Sequence, residues 1–203
     1  MAEFPIKKLV LATGNPFKAR ELRMLLHKLP VEILDLSMFS EAPEVSETGT
    51  TLAENARLKA QAIYDFCGLS TLADDTGLFV EALQGHPGVS SARFAGPNRD
   101  DRANRAKLLR ALNGQEQRAA NFVTVMAYAG SSGRLPHTHL FEGICPGHIA
   151  VRELTSGGFG YESVFIPKGH SRCFAQLTPH EKNAISHRGK AAHAFIRFLS
   201  PPA

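Results

Sequence analysis

Apolar residues recur along the chain in helical and in strand-like patterns, and the two patterns alternate. One face of a predicted helix carries Leu22, Leu25, Leu26 and Leu29, and one face of a second carries Leu52, Ala56, Ala60 and Ile63. The predicted helices span 16–29, 50–67, 101–112 and 183–199, and the predicted strands comprise an apolar run from Leu9 and segments 31–36, 69–73, 121–129 and 140–152. Early alternation followed by a cluster of strands favours an α/β fold with a mixed sheet.

Polar turns interrupt these predicted elements. The short strand at 69–73 is expected to close in a turn at Asp74-Asp75-Thr76-Gly77, and the long strand at 140–152 is expected to break at Cys145-Pro146-Gly147. A Ser/Gly turn between 121–129 and 140–152 predicts an antiparallel pair.

The turn after the first strand has the features of an anion site. In Thr13-Gly14-Asn15-Pro16-Phe17-Lys18, Asn15 is a good N-cap and Pro16 suits the first helical position. Backbone N–H groups converge at a helix N-terminus and favour a bound anion there. Lys18 lies in the first turn, which is the unfavourable end of the helix dipole for a cation. A bound phosphate accounts for this position; the alternative is an ion pair between Lys18 and Glu21.

Asp74 and Asp75 are adjacent carboxylates at the end of a predicted strand. Neighbouring strand residues point to opposite faces, so the two are not expected to share one task. One of them could hold a metal or activate water, since Mg²⁺ binds through one or two carboxylates plus substrate oxygens. The alternative is a pair of aspartates that stabilise a turn through backbone hydrogen bonds.

Two further segments could contact a nucleotide. The glycines of Gly157-Gly158-Phe159-Gly160-Tyr161 allow a close backbone approach, and an aromatic ring can stack on a flat base. The alternative for this loop is a Phe and a Tyr that face the core. Ser186-His187-Arg188-Gly189-Lys190, with Lys182 one turn earlier, supplies donors for a carbonyl or a phosphate. The alternative for this second segment is a cationic surface helix.

Length and charge limit the classes of protein. The 203 residues are expected to form one domain, 1–203, and the net charge of +4 suits an anionic small molecule rather than nucleic acid. The helix at 101–112 carries Arg102, Arg105, Lys107 and Arg110, a pattern more typical of a solvated basic face than of an RNA-binding surface. We expect no membrane partner, because no apolar run approaches the roughly 18 residues of a span and the first residues do not form a signal peptide.

The cysteines indicate a reducing compartment. Cys67, Cys145 and Cys173 are widely spaced and form no CxxC pair, which disfavours a disulfide framework and a zinc ribbon and predicts a cytoplasmic protein. A zinc site is a further alternative, with the candidate ligands His137, His139, His148 and Cys145. Alternating histidines in a turn-rich hairpin are more typical of exposed polar residues.

Five segments together resemble the inosine triphosphate pyrophosphatase family. In chain order they are TGNPFK (13–18), ADDTG (73–77), SARFAG (91–96), GFGY (158–161) and SHRG (186–189). They follow the family's order, and the resemblance extends from about Lys8 to Phe198. It implies an elongated mixed β-sheet with flanking helices, two lobes around a nucleotide cleft, and a homodimer.

The resemblance also implies roles for individual residues. Asp75 matches the metal-binding carboxylate and general base, and Lys18 is the second catalytic residue. The implied substrate contacts are Thr13, Gly14, Asn15, Pro16, Phe17, Lys18, Thr76, Phe159, Gly160, Tyr161, Glu162, Lys182, His187 and Arg188. Arg93 could reach a phosphate, and Glu47 is a candidate for a further metal contact.

The implied reaction is the Mg²⁺-dependent hydrolysis of deaminated purine nucleoside triphosphates (ITP, dITP and XTP) to the monophosphate and pyrophosphate. The chain departs from the family pattern at two places. Glu162-Ser163 stands where aspartate and proline are usual, and Thr76 stands where serine is commoner. The alternatives are a pyrophosphatase for GTP or modified pyrimidines and a non-enzymatic module that binds nucleotides or RNA.

Overall fold

A computed structural model describes residues 4–130 and 138–200. Within these residues the helices are α1 (Pro16–Leu26), α2 (Leu52–Cys67), α3 (Asp101–Ala111), α4 (Pro179–Ile185) and α5 (His187–Leu199). The strands are β1 (Lys8–Leu11), β2 (Glu32–Asp35), β3 (Thr71–Val80), β4 (Pro87–Gly88), β5 (Ala119–Ala129), β6 (His139–Ile149) and β7 (Phe165–Pro167). In this part of the chain, no helix has both the length and the apolar character needed to cross a membrane.

The strands form a mixed sheet. Their order is β2-β1-β3-β5-β6-β7, and β4 pairs with β3. β1 is parallel to β2 and to β3, whereas β4 and β7 are antiparallel to β3 and β6. Parallel neighbours need a crossover connection, and α1 and α2 lie in the two connections that join β1, β2 and β3. The predicted α/β class with a mixed sheet is therefore confirmed.

Close packing divides the chain into two compact units. Unit 1 comprises Met1–Asp75, Thr124–Gly143 and Arg188–Ala203, and unit 2 comprises Thr76–Val123 and Ile144–His187. The chain passes from one unit to the other inside continuous strands, for example between Asp75 and Thr76 of β3. The expectation of one domain over 1–203 stays a prediction.

The core of unit 1 forms around β1 and α1. Leu9 and Leu11 of β1 are buried together with the leucine face predicted for α1. Helix α5 contributes a second apolar face to this core, formed by Ala191, Ala192, Phe195 and Leu199. The pattern of leucines along the sequence thus predicted the buried side of α1 correctly.

The core of unit 2 is rich in aromatic rings. Phe122 of β5 packs edge-on against Phe165 of β7, with 4.7 Å between the ring centroids, and stacks on Phe174 at 5.9 Å. Leu108 of α3 and Tyr161 are buried in the same cluster. This core fixes the inner side of α3, whose polar residues face the loops described below.

The structure contradicts the turn predicted at Asp74-Asp75-Thr76-Gly77. β3 continues through these residues to Val80. A strand can bury Asp74 and Asp75 here because lysine and arginine side chains neutralise both carboxylates. Gly77 allows β4 to lie close, since a Cβ on Gly77 would lie 2.6 Å from the carbonyl oxygen of Gly88.

Two other predicted boundaries were wrong. β6 runs unbroken through Pro146 and Gly147, because the Pro146 carbonyl accepts the N–H of Lys168 at 2.9 Å and Gly147 pairs with Pro167 of β7. The predicted helix at 183–199 is two helices, α4 and α5, because Ser186 adopts an extended conformation between them. The Ser/Gly turn expected after β5 falls within 131–137, outside the described residues.

Candidate active site

Helix α1 begins at the turn that was predicted to bind an anion. Asn15 is its N-cap, as predicted, and its side-chain oxygen accepts the N–H groups of Phe17 at 2.9 Å and Lys18 at 3.2 Å. Thr13 Oγ1 accepts the N–H of Asn15 at 3.2 Å. Asn15 therefore already engages the first-turn amides, so an anion at this turn would be held mainly by side chains. Gly14, Pro16 and Phe17 are exposed beside it.

The ammonium of Lys18 lies against β3. Its Nζ is 3.1 Å from Asp74 Oδ2, and the two side chains are 17% and 0% exposed. Burial lowers the pKa of Lys18, and the charge of Asp74 offsets part of this effect. The cation at the unfavourable end of α1 is thus stabilised by a residue of another element, which neither interpretation of the sequence anticipated.

Asp74 also binds Arg188, the second residue of α5. The guanidinium donates to Asp74 Oδ2 from Nε at 3.3 Å and from Nη2 at 3.2 Å, and its Nη1 donates to Glu21 of α1 at 2.5 Å. Burial opposes ionisation of Asp74, but Lys18 and Arg188 outweigh it and hold the pKa of Asp74 well below its usual range. Arg188 belongs to unit 1 and Lys182 to unit 2; the expectation that both line a base pocket stays a prediction.

Lys59 of α2 is a site residue that the sequence reasoning missed. Its Nζ donates to Glu47 Oε1 at 2.7 Å and to Asp75 Oδ1 at 3.1 Å. Asn55 lies one turn earlier on α2, and its Nδ2 donates to Asp75 Oδ2 at 3.3 Å. Two polar residues four apart on one helix were the signal that could have found this pair.

The carboxylate of Asp75 is held differently from that of Asp74. Burial raises the pKa of Asp75, and the charges of Lys59 and Lys18 offset only part of the effect. Conversely, burial disfavours the charge of Lys59, but Asp75, Asp74 and Glu47 outweigh it and raise the pKa of Lys59. Asp75 therefore keeps a proton more readily than an exposed aspartate, while Lys59 stays charged.

These ion pairs form a connected set, which we call the ion-pair network. Its members are the cations Lys18, Lys59 and Arg188 and the carboxylates Glu21, Glu47, Asp74 and Asp75. Three positive charges face four negative ones, so the ionised network has a net charge of −1 and is unsuited to a triphosphate on its own. A divalent cation would reverse that sign.

The chemistry of the donor set fits Mg²⁺. Asp75 and Glu47 share Lys59, and their side chains are 11% and 18% exposed. Across residues 4–130 and 138–200, no group of three or more His, Cys, Asp or Glu side chains could hold a metal ion. Mg²⁺ does not need such a group, since it binds through one or two carboxylates plus substrate oxygens. Of the zinc candidates, His137 lies outside the described residues.

The predicted aromatic loop lies in unit 2 and contains a second polar cluster. Gly158 and Gly160 have positive φ angles of 80° and 59°, a conformation that favours glycine. Lys182 Nζ lies 2.7 Å from Glu162 Oε1 and 5.3 Å from the centroid of the half-buried ring of Phe159. Phe159, Glu162 and Lys182 are thus brought together, and their role as substrate contacts stays a prediction.

Two other predicted site residues are buried in the core of unit 2. Tyr161 is 4% exposed and donates its hydroxyl proton to the carbonyl of Ser91 at 2.8 Å. The ring of His187 stacks on Phe122, with 4.6 Å between centroids and an interplanar angle of 11°. Both support the loop and α4 from the core side. Thr76, half-buried, follows Asp75 on β3, and Arg93 ends a 3-10 helix, Ser91–Arg93.

Comparison with known proteins shows extensive similarity. The chain is 46% identical over 196 residues to a dITP/XTP pyrophosphatase from Desulforamulus reducens, covering 95% of this chain and 96% of the relative. It is 47% identical to a dITP/XTP pyrophosphatase from Geobacillus kaustophilus, covering 92% of this chain and 91% of that protein.

Solved structures agree with these relatives. The Ham1 protein of Staphylococcus aureus superposes with a TM-score of 0.84 at 36% identity, over 95% of this chain and 98% of that one. A HAM1 protein from Coxiella burnetii gives a TM-score of 0.85 at 38% identity, over 96% and 98%. The model of the Ham1 family matches residues 9–198, nearly the whole chain. The chain therefore belongs to the Ham1 family.

Proposed function

We propose that this chain hydrolyses deaminated purine nucleoside triphosphates (ITP, dITP and XTP) to the monophosphate and pyrophosphate, and so removes non-standard purines from the nucleotide pool. The ion-pair network carries the proposal, because it places two lysines beside two aspartates in unit 1. The relatives named dITP/XTP pyrophosphatase support the substrate class.

Mg²⁺ is the proposed cofactor, with Asp75 as its ligand and Glu47 as a second carboxylate. The net charge of the network supports this, since a triphosphate needs more positive charge than the three cations supply. When bound, Mg²⁺ would offset charge on the phosphate oxygens and on the pyrophosphate that leaves.

Asp75 is the proposed general base. Its carboxylate takes a proton from a water molecule, whose oxygen bonds to the α-phosphorus. The bond from that phosphorus to the bridging α–β oxygen breaks, and pyrophosphate leaves with this oxygen. Lys59 and Asn55 each hold one oxygen of Asp75 and so fix its orientation.

The turn Thr13–Lys18 is proposed to grip the triphosphate. Asp74 positions the ammonium of Lys18, so the charge that meets the phosphates is set before substrate binds. Arg188 binds the same Asp74 oxygen. We assign it the role of holding Asp74 in place rather than of contacting the nucleobase.

The cluster of Phe159, Glu162 and Lys182 is proposed to recognise the base. Inosine and xanthosine present a 6-oxo acceptor where adenosine presents a 6-amino donor. The ammonium of Lys182, fixed by Glu162, can donate to the oxo group but would leave an amino group unpaired. Sites built on such hydrogen bonds reject the wrong ligand by roughly 10⁴-fold. His187 and Tyr161 hold this cluster from the core side.

Three further parts of the proposal rest on the resemblance and on composition. We propose that the chain acts as a homodimer and that residues 1–203 form one functional domain. We also propose a cytoplasmic location, because the substrate belongs to the nucleotide pool and the three cysteines are widely spaced and form no CxxC pair.

A nucleotide panel tests the proposed activity. With Mg²⁺, we expect ITP, dITP and XTP to give monophosphate and pyrophosphate, with kcat/KM at least about 10³-fold above that for ATP. EDTA should abolish turnover, and ion-exchange separation identifies the products. Diphosphate plus inorganic phosphate as products, or ATP or GTP as the best substrate, would refute the proposal.

Asp75→Asn separates catalysis from folding. We expect kcat/KM for ITP to fall by about 10²–10⁴-fold, because the amide cannot accept the proton. Circular dichroism should be unchanged, since Asn55 can still donate to the new side chain. Asp65→Asn is the matched control, because Asp65 is an exposed residue that pairs with Gln61 on α2. Activity of Asp75→Asn within threefold of the control would rule out its role as base.

Asp74→Asn tests the buried ion pairs. The substitution leaves Lys18 and Arg188 without their shared charge and should lower the free energy of unfolding by about 3–5 kcal/mol at pH 7. Because the pKa of Asp74 is lowered on folding, its stabilisation is complete above the unfolded pKa near 3.9 and is lost as the pH falls below it. The difference between the variant and the wild type should therefore shrink from pH 5 towards pH 2 in urea unfolding.

Asp35→Asn is the control for this prediction, because Asp35 forms a half-exposed pair with Arg23. Its loss should cost under about 1 kcal/mol. An equal, small effect of both substitutions would contradict the structural role of Asp74.

A further inference from the structure

Side chains of helix α3 bind both the backbone N–H and the backbone carbonyl of Gly160 in the aromatic loop. The carboxylate of Asp101 accepts the N–H of Gly160 at 2.7 Å, and Nη1 of Arg105 donates to the carbonyl of Gly160 at 2.9 Å. Asp101 and Arg105 are four residues apart, so they lie on the same face of α3. Both bonds involve a charged group, and such bonds are stronger than neutral ones.

The same contacts extend to the far end of the loop. Nε of Arg105 lies 2.8 Å from Glu153 Oε1, and that oxygen accepts the hydroxyl of Ser163 at 2.8 Å. The Arg105 side chain is 14% exposed, so little water competes for its donors. Arg105 is therefore ion-paired with Glu153, which precedes Phe159–Glu162, and Glu153 in turn holds Ser163, which follows it.

Fixing Gly160 restricts Phe159, which precedes it, and Glu162, which lies two residues after it. The N–H of Phe159 lies 3.4 Å from Glu162 Oε2, and Oε1 of the same carboxylate holds Lys182. Gly160 has a positive φ of 59°, a conformation from which a free loop could readily relax. The two bonds from α3 oppose that relaxation.

Two other polar residues of α3 hold a second segment of unit 2. Asn104 accepts the N–H of Ala95 at 2.6 Å and donates to the carbonyl of Ala92 at 3.0 Å. Lys107 donates to the carbonyl of Phe94 at 2.6 Å. Of the four basic residues in the face that the sequence predicted to be solvated, Arg102, Lys107 and Arg110 are exposed. Arg105 and Lys107 also donate to loop carbonyls.

We infer that Asp101 and Arg105 are positioning residues that set base selectivity, because they fix the Gly160 peptide and through it the Phe159–Glu162–Lys182 cluster. This inference rests on the proposed function. Selectivity requires donors whose position does not adapt to the wrong base. A loop released from α3 would let Lys182 and Phe159 adapt to a 6-amino base.

Arg105→Ala tests the inference by kinetics. We expect KM for ITP to rise about tenfold with kcat within threefold of wild type, as for loss of a charged hydrogen bond that acts in binding. kcat/KM for ATP should not fall, so the ITP-to-ATP ratio drops about tenfold. Arg105→Lys, which keeps one donor for Gly160, should restore most of the ratio. Arg102→Ala, an exposed residue of the same helix, is the control.

A merely structural role would lower kcat/KM for ITP and ATP equally, and that result would overturn the inference. An unchanged ITP-to-ATP ratio would do the same.

Hydrogen exchange tests the contacts between α3 and Gly160 without any enzymatic readout. The Gly160 amide should exchange at least about tenfold faster in Asp101→Ala than in wild type, because its acceptor is removed. Equal exchange rates would overturn the inference. If wild type turns over none of the nucleotides, the proposed function fails, while this measurement still decides whether α3 fixes the loop.

Discussion

The ion-pair network depends on the interaction of the buried Asp74 carboxylate with Lys18 and Arg188. A carboxylate that is fully removed from water is stable only when opposite charges and hydrogen bonds replace its hydration. Lys18 from α1 and Arg188 from α5 supply both, and they meet on one oxygen of a β3 residue. Three elements of unit 1 are thereby fixed around one point.

Side chains alternate between the two faces of β3, so the adjacent carboxylates of Asp74 and Asp75 lie in different environments. Asp74 binds Lys18 and Arg188, whereas Asp75, the next residue, binds Lys59 and Asn55. The environments shift the two pKa values in opposite directions, lowering that of Asp74 and raising that of Asp75. This difference supports the proposed division in which Asp74 holds the fold and Asp75 accepts a proton, since opposite pKa shifts set titratable groups apart in enzyme sites.

Local rules predicted the parts of the structure that depend on local contacts. The leucine face of α1 and the Asn15 cap follow from spacing and from cap chemistry, and both are present. The strand at Asp74-Asp75 was missed because aspartates favour a turn when their carboxylates are solvated. Here both carboxylates are paired with residues distant in the sequence, so the strand continues through them. The role of Arg105 was missed for the same reason, since its partner Gly160 lies 55 residues away.

The family resemblance implied both the site residues and their roles, and these roles stay predictions. The proposed attack by water at the α-phosphorus, with Asp75 as the base, rests on the resemblance, and isotope labelling tests it most directly. ITP hydrolysed in H₂¹⁸O should yield IMP that carries one ¹⁸O and pyrophosphate that carries none, as measured by mass spectrometry. Label in pyrophosphate or in inorganic phosphate would contradict the account.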